Sequence, residues 1–196
     1  MKKTGLIALL LCTLFACRNK NVPDVSGIKV QLAVYRFDKD FFALDTNQLM
    51  PSLQKLGQQY PYFLTDYFQH ILGLPPFSDS SSEAPRLLKQ FVRDYQPIRE
   101  AVNKTFANTS PIEQQVAKGL QFTKYYFPNY KTPSRLIFYI GPMDAYYQAS
   151  LGGYADVITE AGMAVGLQLH LGKDYSLYNS QMGQSLYPTY ISRRFT

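Results

Sequence analysis

The chain has 196 residues and a formal net charge of +6, from 20 Lys and Arg against 14 Asp and Glu. After Lys2-Lys3 the only basic doublet is Arg193-Arg194, so there is no nucleic-acid footprint and no nucleic-acid partner is expected. Two cysteines, Cys12 and Cys17, and two histidines, His70 and His170, leave little material for a disulfide framework or a metal cluster.

Met1-Lys2-Lys3 opens the chain, and an uncharged, Leu-rich run over 6–15 follows. A bilayer span needs about 20 apolar residues, so this run is too short to cross and fits an export signal instead. It ends Leu14-Phe15-Ala16-Cys17, a small residue before Cys with Leu three before it, which is the pattern of a lipobox. Residues 1–16 are expected to leave as a lipoprotein signal peptide. Cys17 is expected to carry covalent lipid of the palmitate kind, the only attached group. Cys12 would be discarded with the signal. Two or more acyl chains anchor a protein stably, whereas one holds it only marginally. Membrane lipid is thus the first expected partner.

Residues 17–27 read as a lipidated tether with Pro23, Ser26 and Gly27. Residues 28–37 read as a strand in which Val30, Leu32 and Val34 alternate with Gln31, Ala33 and Tyr35. Asp38 is placed to N-cap a short helical turn through Phe41, Phe42 and Leu44. Leu49, Leu53, Leu56 and Tyr60 give a helical stripe that Pro61 should break or restart. Tyr67, Phe68, Ile71 and Leu72 close its apolar face. A loop with Pro75-Pro76 covers 73–82.

A longer helix is expected over 84–107, with Leu87, Leu88, Phe91, Val92, Tyr95, Ile98, Val102 and Phe106 on one stripe and a kink at Pro97. Ser110-Pro111-Ile112-Glu113 then combines an N-cap, a Pro at the first helical position and a capping-box Glu. Ile112, Val116 and Leu120 continue that helix until Phe127-Pro128. Strands are expected over 135–140, 156–159 and 163–171, the last two as a hairpin around Gly162. The order gives an α+β fold in a single domain over 28–196, with an N-terminal strand, central helices and C-terminal strands.

The chain offers little for chemistry. It contains no HExxH, GxSxG, Walker loop or GxGxxG. His170 reads as a surface histidine on a strand, and His70 as one near a helix C-terminus. Asp38 with Asp40, and Asp156 with Glu160, are near each other in sequence only. No catalytic residue, no cofactor-binding residue and no metal ligand is assigned.

Four stretches carry a resemblance. They are Tyr35-Arg36-Phe37-Asp38-Lys39-Asp40-Phe41-Phe42, Lys124-Tyr125-Tyr126-Phe127-Pro128, the run from Gly166 to Tyr175, and Tyr187-Pro188-Thr189-Tyr190-Ile191. In this order, behind a lipobox, they resemble the gliding motility lipoprotein GldB family. The resemblance implies a membrane-anchored component of the bacterial gliding machinery, working through other gliding or secretion machinery proteins and not through a known reaction. Gln168 departs from the acidic residue common in the family. The chain also stops at Thr196, where further sequence is expected, so the domain is expected to be incomplete.

The family is distantly similar to zinc peptidases, which makes a degenerate or truncated metallopeptidase-like domain one alternative. A glycan-binding lipoprotein using the Tyr-rich 139–154 region is another. Arg18-Asn19-Lys20-Asn21 lacks an acidic cluster after Cys17, so the periplasmic face of a membrane is expected, inner or outer.

Overall fold

The computed structural model describes residues 22–77, 83–143, 156–172 and 174–179. The first strand, β1, is Ala33–Arg36. Six helices follow: α1 Phe37–Phe42, α2 Leu49–Gln59, α3 Phe63–Asp66, α4 Glu83–Asp94, α5 Gln96–Thr105 and α6 Ser110–Tyr126. Strands β2 Arg135–Tyr139, β3 Asp156–Thr159 and β4 Gly162–Gly166 come next, then a short helix, α7, Ser176–Asn179. The fold is α+β in one domain, with the strands and helices in the order expected.

The strands form one mixed sheet in the order β1-β2-β4-β3. β2 runs parallel to both β1 and β4, and β3 closes on β4 as an antiparallel hairpin. A strand buried on both faces reads as a continuous apolar run. β2 is that strand, buried from Leu136 to Tyr139. Its odd residues meet the first helices: Tyr139 packs against Phe63 and Tyr67, with centroids 5.9 and 6.1 Å away. Its even residues face the other way, where Phe138 lies beneath the Arg36 guanidinium. Leu136 and Phe138 stand beside Met163 and Val165 in the register, so these four share the face that α6 overlies.

The first face is an aromatic core. The ring of Phe37 lies 4.7 to 5.6 Å from those of Phe41, Tyr60, Phe63 and Tyr67, mostly edge to face. Such pairs add about 0.5–1.5 kcal/mol each beyond area burial. Asp40 fastens α1 to the end of α2, accepting from the Tyr60 hydroxyl at 2.5 Å and from Gln59 Nε2 at 2.8 Å. Burial, and then the Asp40 carboxylate, push the Tyr60 phenol well above its ordinary pKa.

Several local expectations change. The N-terminal strand is only Ala33–Arg36, and Val34 is exposed while Tyr35 packs on Tyr60. Asp38 is not an N-cap. It lies inside α1, 2% exposed, because Arg36 grips it with two bonds of 2.8 and 2.6 Å. The long helix over 84–107 is two helices that break at Tyr95. Pro97 has no N–H to return to Arg93, so a continuous helix would lose a bond there. The N-cap of α6 is Thr109 and not Ser110. Thr109 donates its hydroxyl to Glu113 at 2.6 Å, and Asn108 Oδ1 takes the Ser110 N–H at 3.0 Å.

The helical stripes come out as expected. Leu49, Leu53, Leu56 and Tyr60 are buried, as are Leu88, Val92, Ile98, Val102 and Phe106. Pro61 separates α2 from α3. α3 runs on into a wide π turn over Tyr67–Ile71, where the Leu72 N–H reaches the Tyr67 carbonyl at 2.7 Å. The hairpin turn also holds. Gly162 has φ +142°, and a Cβ there would sit 2.7 Å from the Arg135 carbonyl oxygen, so only glycine fits. The strand expected over 163–171 ends at Gly166, and Leu167–Leu169 is a tight helical turn.

Candidate docking surface

Helix α6 has the clearest start signal in the sequence and the thinnest seat. Ile112, Val116, Leu120 and Thr123 point toward the sheet, yet of the whole helix only Leu120 is fully buried. The opposite wall is Met163 and Val165 of β4 with Ile158 of β3. Between them runs an apolar trough made of two hollows that meet at Met163.

The smaller hollow holds about 290 Å³ and is lined by Phe106, Pro111, Ile112, Val116 and Val165, with Asp156 and His170 among its walls. His170 Nε2 meets Asp156 Oδ1 at 3.0 Å, with the His170 side chain 7% exposed and the Asp156 side chain 45%. The larger hollow holds about 750 Å³ and opens past Tyr126, Phe127, Tyr130, Pro133 and Ile158. Its mouth is apolar and largely aromatic: Tyr126 is 58% exposed and Phe127 65%, with the aliphatic Ile158 at 64%. Scattered exposed apolar residues are ordinary, whereas a contiguous patch marks an interaction surface. Among the described residues the wide hollow is lined mainly by apolar and aromatic side chains, and its titratable groups are the tyrosines Tyr126 and Tyr130.

The chain leading into β1 lies along the flank of α6. Gln121 Nε2 donates to the Ile28 carbonyl at 2.9 Å, Lys124 Nζ reaches the Lys29 carbonyl at 3.4 Å, and Val25 is fully buried. The Ser26 N–H on Asp24 holds that carboxyl below the usual carboxylate range.

The sequence-derived candidates fall in different places. Cys17 and the 1–16 signal lie outside the described residues, as do 144–154 of the Tyr-rich region, Arg193-Arg194 and the Tyr187 to Ile191 stretch. Asp38 and Asp40 do not act as a pair, since Arg36 holds one and Tyr60 with Gln59 the other. Asp156 is on β3, while Glu160 sits in the turn beyond it, so no shared strand face brings the two together. His70 is exposed in the last turn of the π segment. His170 is not on a solvent-facing strand, because the tight turn after β4 swings it onto Asp156.

Gln168 is completely buried, and neither carboxamide atom finds a hydrogen-bond partner among the described residues. It sits against Gly141, where a Cβ would lie 3.2 Å from Gln168 Nε2. Among the described residues no group of three or more His, Cys, Asp or Glu is arranged to hold a metal, and no helix is long and apolar enough to cross a membrane.

The trough itself was not found in the sequence. The available signal was the run Tyr125-Tyr126-Phe127, aromatic at positions that cannot all face one core.

A family model described as gliding motility protein GldB matches residues 18–196. No curated protein and no solved structure matches the chain.

Proposed function

The chain belongs to the GldB family of gliding motility lipoproteins, and from that premise we propose that it is a membrane-anchored component of the bacterial gliding machinery that acts by binding other proteins of it. The anchor is lipid on Cys17, and the domain stands on the periplasmic face of a membrane. Its partner is a gliding or secretion machinery protein that lays an apolar segment into the trough between α6 and the β3–β4 hairpin. The observation that carries this reading is the trough: about 750 Å³ of wide hollow, apolar walls and an exposed, largely aromatic mouth. An occupant would bury Ile158, Phe127 and Tyr126, each worth about 1.5–3 kcal/mol when fully removed from water.

The test is complementation of a strain lacking the gene, read as colony spreading and cell movement. Ile158→Arg puts a charge in the mouth at an exposed position, so the fold should survive and gliding should fail. A matched change at exposed Met50, on the other side of the sheet, should leave gliding intact. Normal spreading with both Ile158→Arg and Phe127→Asp would remove the trough from the account. A photo-crosslinker at position 158 should trap a machinery protein in intact cells.

A further inference from the structure

The outer face of α6, away from the trough, is also not an ordinary solvent face. Residues four and seven apart on a helix are neighbours on one side. Lys118, Phe122 and Tyr125 have that spacing, opposite the Leu120 side that meets the core. The Lys118 ammonium lies over the Phe122 ring, 5.3 Å from its centre, and Tyr125 is 50% exposed. Just past the helix, Lys131 is exposed. Lysines interleaved with half-exposed aromatics suit the headgroup level of a bilayer, where rings sit at the boundary and ammonium groups reach the phosphates.

The tether brings this face to a membrane. Four residues, Arg18 to Asn21, separate Cys17 from Val22, where the described chain begins. At no more than about 3.5 Å per residue, the five steps from Cys17 to Val22 span at most about 18 Å. From there the chain runs along the flank of α6: Asp24 is close enough to Lys118 to feel its charge, Ile28 binds Gln121 and Lys29 meets Lys124. A lipid on Cys17 therefore holds α6, and not α2 on the far side of the sheet, nearest the bilayer.

We propose that the outer face of α6, with Lys118, Phe122 and Tyr125, and Lys131 just past its end, lies against an anionic lipid surface. This rests on the reading of Cys17 as the lipid anchor. The anchor alone would let the domain swing freely. The added contact fixes its orientation and leaves the trough, on the sheet side of α6, facing sideways toward partners.

The test uses the mature, lipidated chain in vesicles of phosphatidylethanolamine and phosphatidylglycerol. Cys17 is consumed by lipid in that form, so a fluorophore can be attached at a single new cysteine, Tyr125→Cys or Met50→Cys. Quenching by headgroup-linked nitroxide lipids should be strong at position 125 and close to background at 50. Replacing Lys118 and Lys131 by Gln should lower the quenching at 125, by about fivefold in contact population per lysine. Equal quenching at the two positions, or no response to the lysine changes, overturns the oriented contact.

Mass measurement of the N-terminal peptide reports acylation separately. An acylated chain without quenching at 125 sinks this inference alone. An unacylated chain sinks the anchor reading; sedimentation of that chain with the same vesicles, and the quenching at 125, then decide the face, and failure to sediment overturns it too.

Discussion

The Tyr67 hydroxyl donates to the Ile140 carbonyl at 2.6 Å and so ties the π turn to the chain leaving the central strand. Both residues are buried. Tyr95 does the same from the opposite direction, its hydroxyl oxygen taking the Met143 N–H at 2.8 Å, and the Tyr178 hydroxyl meets the Gln168 carbonyl beyond β4. Three tyrosines thus satisfy backbone groups where the parallel strands end and no ladder continues.

Tyr67→Phe keeps the ring packing and removes only the donor, leaving the Ile140 carbonyl short of this partner. A loss of about 1–3 kcal/mol is expected in urea unfolding. The slope of the transition should stay the same, since the exposed area on unfolding hardly changes.

Arg36 and Asp38 form a pair with side chains 18% and 1% exposed, and Arg36 Nη1 also donates to the Phe106 carbonyl at 3.0 Å. Arg36→Met strands a buried carboxylate and should cost about 3–5 kcal/mol. Arg36→Met with Asp38→Asn should recover part of that loss, because the uncompensated charge is gone. Equal losses in the single and double variants would show that packing, and not the charge, dominates.

Tyr60 sets an alkaline limit. Its phenol is raised in the folded state, mainly by burial and then by Asp40, while an unfolded tyrosine titrates near about 10. Below about pH 10 both states hold the proton and this contribution is fully present. Above it the unfolded chain loses the proton first, so stability falls as pH rises. Tyr60→Phe should flatten that decline in thermal scans from pH 9 to 11. Some slope will remain, because burial raises Tyr175 as well.

Gln168 gives the opposite expectation from most core changes. Its carboxamide is buried without a partner among the described residues. Gln168→Met keeps the length, drops the polar group and should stabilise by about 1 kcal/mol, a rise of about 3 °C in Tm. Destabilisation by a similar amount would mean that the amide is hydrogen-bonded after all.

Much of the fold could be read in advance, where one residue pattern had one outcome. The Leu49-Leu53-Leu56-Tyr60 stripe, the stop at Pro61 and the hairpin at Gly162 depend on local spacing or on backbone that only glycine or proline decides. Asp38 was misplaced because the capping rule is local, while its actual partner is a guanidinium two residues earlier that also reaches Phe106. Gly166-Leu167-Gln168-Leu169 alternates like a strand, but β2 ends at Tyr139 and offers nothing further to pair with. The trough was invisible for another reason. Ile112, Val116 and Leu120 announce a buried face, and spacing cannot say how closely the sheet approaches it.

The β1–β2 ladder joins Ala33 to Arg135, so forming it closes a loop of about a hundred residues, roughly 4 kcal/mol of chain entropy. Helices α1 to α6 all lie inside that loop. They can form and collide early, but the sheet that orders them has to wait for β2, and β2 has β4 as its other neighbour. Folding should therefore be slow relative to helix formation, with the sheet as its late step. A nascent chain that ends before β2 would hold six of the helices and, of the sheet against which they pack, only β1.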